Sequence, residues 1–210
     1  MRAFRQLAVA TAVAGLLTGS AATAASAATT QPVAATRPAA AVHLTGGVTA
    51  VTTAPGIAGA LLKNGIVPIA TWPGSQTLKF AKSGPAVRFA FPVTGGRASL
   101  SPLGGKVYHR GGILFFNAKN GKQVEVSRFT INLSKGDLTG IVNGNPKARV
   151  PLFNLDLSHA KLAAGKHVVV AKGIGLKLTK VAASALNAAL GTKLFSAGLG
   201  LGTARTVLRF

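Results

Sequence analysis

Three carboxylates (Glu125, Asp137 and Asp156), four histidines, one tyrosine and one tryptophan are the main side chains with which this chain of 210 residues could do acid–base, metal or stacking chemistry. Glycoside hydrolysis needs two acids flanking one bond. Here Asp137 falls in a turn, Asp156 alternates outward from a strand, and Glu125 sits between Val124 and Val126. Each reads as a surface carboxylate pairing with a neighbouring lysine. Ser158-His159-Ala160-Lys161 fits an S-x-x-K spacing, but the S-D-N and K-T-G partners of that chemistry are missing. Its place at a strand end also differs from that of a nucleophile at a helix start. His43, His109, His159 and His167 show no H-x-x-x-H or H-E-x-x-H spacing. The absence of cysteine removes thiolate metal sites, a thiol nucleophile and any disulfide. Gly198-Leu199-Gly200-Leu201-Gly202 follows a helix, where a dinucleotide fingerprint follows a strand, so these glycines relieve crowding as the chain re-enters a sheet. The expectation is a chain with no catalytic residues and no metal.

Three residues remain as ligand-binding candidates. His109 follows the sole tyrosine, Tyr108, before Gly111-Gly112 and the apolar run Ile113–Phe116. Neighbours on a strand point to opposite faces, so Tyr108 and His109 should not act on one ligand together; at a sheet edge both read as surface residues. Trp72, the only tryptophan, lies in the turn-like Thr71-Trp72-Pro73-Gly74. An aromatic there either contacts a sugar or porphyrin face or packs over the end of a sheet.

The charge balance points elsewhere. Lysine and arginine number 24 against three acids, a net charge of +21, two less once Arg2 and Arg5 are removed with a leader peptide. A field of this sign attracts polyanions. The basic residues are scattered singly, with no block of the kind that reads as a nucleic-acid patch. Wall phosphate polymers, anionic lipid and acidic polysaccharide are the partners that fit, and nucleic acid is not expected. The alternative is a solubility device.

The elements that would carry these groups are short strands. Val87, Phe89 and Phe91 alternate with polar neighbours, the pattern of a half-buried strand. Asn120-Gly121 signals a hairpin turn after Ile113–Phe116. Val124 and Val126 share one face while Phe129, Ile131 and Leu133 take the opposite parity, so a β-bulge is expected near Ser127-Arg128. Turns at 134–137 and 143–146 lead to a strand over 149–157, with Phe153, Leu155 and Leu157 inward, and another over 167–178. Two segments are helical by spacing: 55–64, and 179–190 with Thr179 as cap and Gly191 as stop. Strand Ala204–Phe210 closes the chain. The fold class is mainly β, one domain of antiparallel strands, meander or sandwich-like, with two short helices.

Arg2 and Arg5, the uncharged run Leu7–Leu17 and Ala25-Ser26-Ala27 read as a signal peptide over 1–27. An Ala/Thr/Pro-rich leader over 28–43 then precedes a domain over 44–210. The protein is therefore expected to be exported, in the extracellular space or at the cell wall. No later segment is long and apolar enough for a spanning helix.

The order of residues resembles the HtaA-like domains of exported proteins from high-GC Gram-positive bacteria, over about residues 89–203. Val107-Tyr108-His109-Arg110-Gly111-Gly112-Ile113 is similar to the family's H-x-G-G strand entry. Phe129-Thr130-Ile131 and Asp137-Leu138-Thr139-Gly140 resemble its central hairpin, and Phe153-Asn154-Leu155-Asp156-Leu157-Ser158 its "LatLDLS" strand. Leu178 to Asn187 and Phe195-Ser196-Ala197-Gly198 resemble its closing helix and turn. The resemblance implies export, envelope association, a β-rich fold and, in the best-known members, haem capture by a Tyr assisted by a His. His109 falls on the position of the helper His. The ligand Tyr has no counterpart, because Tyr108 is the sole tyrosine. No cofactor is therefore expected, and haem follows from the resemblance alone. The function read from the sequence is a non-catalytic binding or structural module held at the envelope by a basic surface, with a haem or porphyrin carrier as the alternative.

Overall fold

A computed structural model describes residues 41–81 and 84–210. The signal peptide over 1–27 and most of the leader over 28–43 lie outside the described residues; the last two leader residues, Val42 and His43, form a strand. In chain order the elements are β1 Val42–His43, β2 Gly46–Thr53, α1 Ile57–Lys63, β3 Ile66–Thr71, β4 Ser75–Ala81, β5 Gly84–Leu100, β6 Leu103–His109, β7 Gly112–Asn117, β8 Gln123–Asn132, β9 Asp137–Val142, β10 Asn145–Asp156, β11 Lys161–Ala164, β12 Val168–Leu178, α2 Lys180–Leu190 and β13 Gly200–Arg209.

All described pairings are antiparallel, and eight strands close a ring in the order β5-β2-β13-β12-β10-β9-β8-β6 and back to β5. The expected antiparallel β-rich fold is thus realised as a closed barrel with outer strands. Two long strands make closure feasible by changing partners along their length. Residues 84–90 of β5 pair with β4 and residues 93–100 with β6 on the same edge. Residues 123–127 of β8 pair with β7, and 130–132 with β6. The switch in β8 falls at Arg128 (φ 49°), with a register shift between Ser127 and Thr130, which is the bulge the parity change predicted. Val124, Val126, Phe129 and Ile131 are all buried as a result. In β5 the turn inward falls at Gly95-Gly96, where Gly96 has φ 128° and an added Cβ would strike the Lys106 carbonyl. Gly202 meets the Thr52 carbonyl in the same way, which accounts for glycine where β13 joins the ring.

Above the β5–β6–β8 seam the sheet splits into β4 on one side and β7-β3 on the other. Both helices cover this end. Thr179 caps α2 by accepting from the Ala182 N–H at 3.1 Å, and Gly191 ends it in the left-handed region. The helix buries Ala182, Ala183, Leu186 and Leu190, while Val181 is exposed. Leu157 is also exposed rather than inward. The Asp156 carboxylate accepts from the Ser158 N–H at 3.0 Å, turning the chain out one residue early. A register shift between Pro151 and Phe153 puts Leu152 into the core instead.

Candidate functional site

Of the polar side chains buried among the described residues, Thr49, His109 and Thr206 are joined by hydrogen bonds within the ring. In β6 Val107 and His109 share the inward phase, and both are buried. His109 is 5 % exposed, so the surface position expected for it is overturned; the parity of β6 sends it inside. Its Nδ1 lies 3.3 Å from the Phe129 carbonyl, which only accepts, so Nδ1 carries the proton. Nε2 is then the acceptor and takes the Thr49 hydroxyl proton at 2.7 Å. Thr49 Oγ1, facing its cross-strand partner, accepts from Thr206 at 3.1 Å. A directed chain therefore runs Thr206 to Thr49 to His109 to Phe129, tying β13, β2, β6 and β8 together across the barrel. Burial away from water lowers the His109 pKa to about 4, only partly opposed by the bond to the Phe129 carbonyl. The ring is neutral at physiological pH.

The sequence pointed to His109 but not to Thr49 and Thr206. Alternation in Thr49–Val51 and Thr206–Leu208 places both threonines in the inward phase, which is the signal that could have found them.

Beside His109 lies a cavity of about 90 Å³ lined by Phe89, Phe91, Phe115, Phe129 and Phe195 together with Leu61 of α1 and Leu186 of α2. Small-molecule sites span about 300–1,000 Å³, so a porphyrin has no room here. Both His109 nitrogens are engaged, and Tyr108 faces the other side of β6, 46 % exposed. This cavity, with His109 bonded as it is here, does not make a haem site.

Trp72 reaches neither of them. It is 91 % exposed in the turn between β3 and β4, and the packing over the sheet end that the sequence allowed is not made. The turn itself is fixed: the Gly74 N–H donates to the Thr71 carbonyl at 2.8 Å, and a Cβ on Gly111 would approach Gly74 N to 2.6 Å. The backbones of the Trp72 turn and of the segment after His109 are in contact, but the side chains diverge. Among the described residues no group of three or more His, Cys, Asp or Glu could hold a metal.

The carboxylates differ from the expectation of three lysine pairs. Among the described residues only Asp156 makes one, with Lys177 at 2.8 Å, and this bond together with those from Ser158 holds its pKa well below the usual carboxylate range. Glu125 accepts from the Thr71 hydroxyl at 2.8 Å, and Asp137, which begins β9, buries one oxygen with no hydrogen-bond partner.

Every lysine and arginine among the described residues is exposed. The register places several of them in rows. His43, Arg97 and Lys106 lie opposite one another across β1, β5 and β6. Lys161 faces Lys172 across β11 and β12.

No protein-family profile matches this chain, and no curated protein matches it. Solved structures do. The C-terminal domain of HtaA from Corynebacterium glutamicum aligns over 81 % of this chain and 99 % of that one, at 14 % identity and a TM-score of 0.53. A domain-swapped dimer of a variant of the same domain aligns over 73 % and 87 %, at 15 % identity and a TM-score of 0.48. The chain shares the fold of the HtaA C-terminal domain.

Proposed function

We propose that this protein is an exported, non-catalytic binding module that adheres to anionic polymers of the cell envelope through its distributed positive charge. The observation that carries this reading is the pairing of like charges in register. Residues directly opposite on antiparallel strands have Cβ atoms about 4.5–5.5 Å apart, and like charges there are destabilising. Arg97–Lys106 and Lys161–Lys172 are such pairs, and each member is exposed. The single ion pair among the described residues is Lys177–Asp156, far too little to offset the excess. Folding alone gives no reason to keep these pairs, whereas a polyanion lying across them turns repulsion into attraction. The sequence resemblance to domains of exported proteins supports an envelope location, and the shared fold agrees with it.

A test follows from the opposed signs. Lys106→Gln and Lys161→Gln each remove one repulsion, so at low salt both variants are expected to melt slightly higher than wild type while binding polyphosphate more weakly. Scanning calorimetry with and without polyphosphate reads both effects. Variants that melt lower, with polyphosphate affinity unchanged, would mean that the pairs serve neither role.

A further inference from the structure

The exposed apolar side chains are not spread evenly. Leu62, Ile69, Trp72, Leu78 and Phe80 fall within one α1–β3–β4 stretch and are 50, 40, 91, 50 and 81 % exposed. The cause is the split in the sheet. Among the described strands β4 pairs with β5 only, and Leu78 stands opposite Val87 and Gln76 opposite Phe89, both core residues. Leu78 and Phe80 therefore continue the core face of β5 beyond the barrel, where no described residue covers them. Lys79 projects to the other face, the side shared by the exposed Arg88 opposite Thr77. The strand is a wing with one apolar face and one basic face, and at its start a rigid turn holds Trp72 out.

We infer that the β3–β4 segment is the site at which this protein enters an anionic lipid surface, Trp72, Leu78 and Phe80 sinking into the headgroup–acyl boundary. This deepens the adhesion reading and rests on it. Aromatic side chains with one polar edge favour the membrane interface, and a basic face beside an apolar one is the pattern of elements lying in that plane. Charge complementarity selects anionic lipid over a second copy of the chain. Lys63, next to Leu62, and the basic back face with Lys79 and Arg88 give this region a positive charge that a second copy would repeat and an anionic surface would neutralise. The one carboxylate nearby, Glu125, is held by the Thr71 hydroxyl. Contact runs through the β3–β4 segment and not the barrel wall: membrane barrels carry an apolar outer band, while here Arg88, Lys177 and Arg205 stand outward from the ring.

Trp72 is the only tryptophan, so its fluorescence reports this site alone. The full chain should be titrated with vesicles of phosphatidylglycerol and phosphatidylcholine, with phosphatidylcholine vesicles, and with polyphosphate. A blue shift of emission and quenching by brominated acyl chains are expected with the anionic vesicles only. Phe80→Ser, which keeps the reporter, should weaken vesicle binding roughly tenfold, the scale set by losing one buried aromatic side chain, and leave polyphosphate binding unchanged. Binding to anionic vesicles with no blue shift would overturn the assignment to the β3–β4 segment and leave charge adhesion standing. Failure to bind either vesicles or polyphosphate would overturn both. A blue shift that grows with protein concentration without lipid, alongside dimer formation, would assign the patch to a second copy and overturn the lipid site.

Discussion

Replacing Phe129 by alanine is expected to cost about 3–5 kcal/mol of unfolding free energy, the range for deleting a buried aromatic ring. The value should fall in the upper half, for a structural reason. Phe129 is 6 % exposed, packs edge-to-face on Phe91 at 4.9 Å and borders the cavity of about 90 Å³. A ring removed beside an existing void enlarges that void, and the closed barrel cannot collapse around it as an open sheet could. The bulge at Arg128 also orients the Phe129 carbonyl that receives the His109 proton, so the same residue anchors packing and polar pairing. Urea unfolding of Phe129→Ala beside Leu157→Ala checks it. The exposed leucine should change stability by less than about 0.5 kcal/mol. Equal losses in the two variants would contradict the strand phases described for β8 and β10.

Acid should unfold this protein through His109. In the folded chain its pKa is lowered to about 4, against 6.5 for the free side chain. Between these values the unfolded chain binds a proton that the folded chain does not, so stability rises with pH across the window. It is complete above about pH 6.5 and is lost progressively as pH falls toward 4. The whole span corresponds to about 3 kcal/mol. The cause is specific: a protonated ring would place a charge among phenylalanines and a second ring proton against Thr49, whose own proton already points at Nε2. Unfolding free energies of wild type and His109→Gln measured from pH 7 to 4 decide the point. The variant should lose most of the pH dependence in that window. An identical decline in both would show that other groups carry it.

Much of this fold was legible because periodicity and turn chemistry agreed. Alternation marked Val87–Phe91 and the parity change at Ser127-Arg128, spacing and caps marked the Thr179 to Gly191 helix, and each appears in the structure. The first strands were illegible for physical reasons. In β2, Gly46-Gly47-Val48-Thr49 offers glycine and threonine where alternation needs large apolar residues, because its inward positions are shared with His109 and Thr206. In β3, Pro68 argues against a central strand, and β3 is indeed the outermost strand on its side of the sheet. Ring closure was beyond the sequence because it depends on β5 and β8 changing partners along one edge, which local patterns do not encode. His109 was legible as a residue of interest but not in its setting. A place at a sheet edge beside Tyr108 suggested a surface, while the phase shared with Val107 puts it inside. The Trp72 turn could be located, yet its exposure follows from the split beside β4, which is visible only in three dimensions.

The central claim is adhesion to anionic envelope polymer by distributed charge, and screening tests it most directly. The Debye length falls from about 10 Å at 0.1 M salt to about 3 Å at 1 M. Retention of the full chain on isolated cell wall should be measured across that range, on native wall and on wall stripped of its phosphate polymers. Strong retention at low salt that falls steeply toward 1 M, and falls again on stripped wall, is the predicted result. Retention that is absent at low salt, or unchanged at high salt, would contradict the account and leave the positive charge as a solubility device.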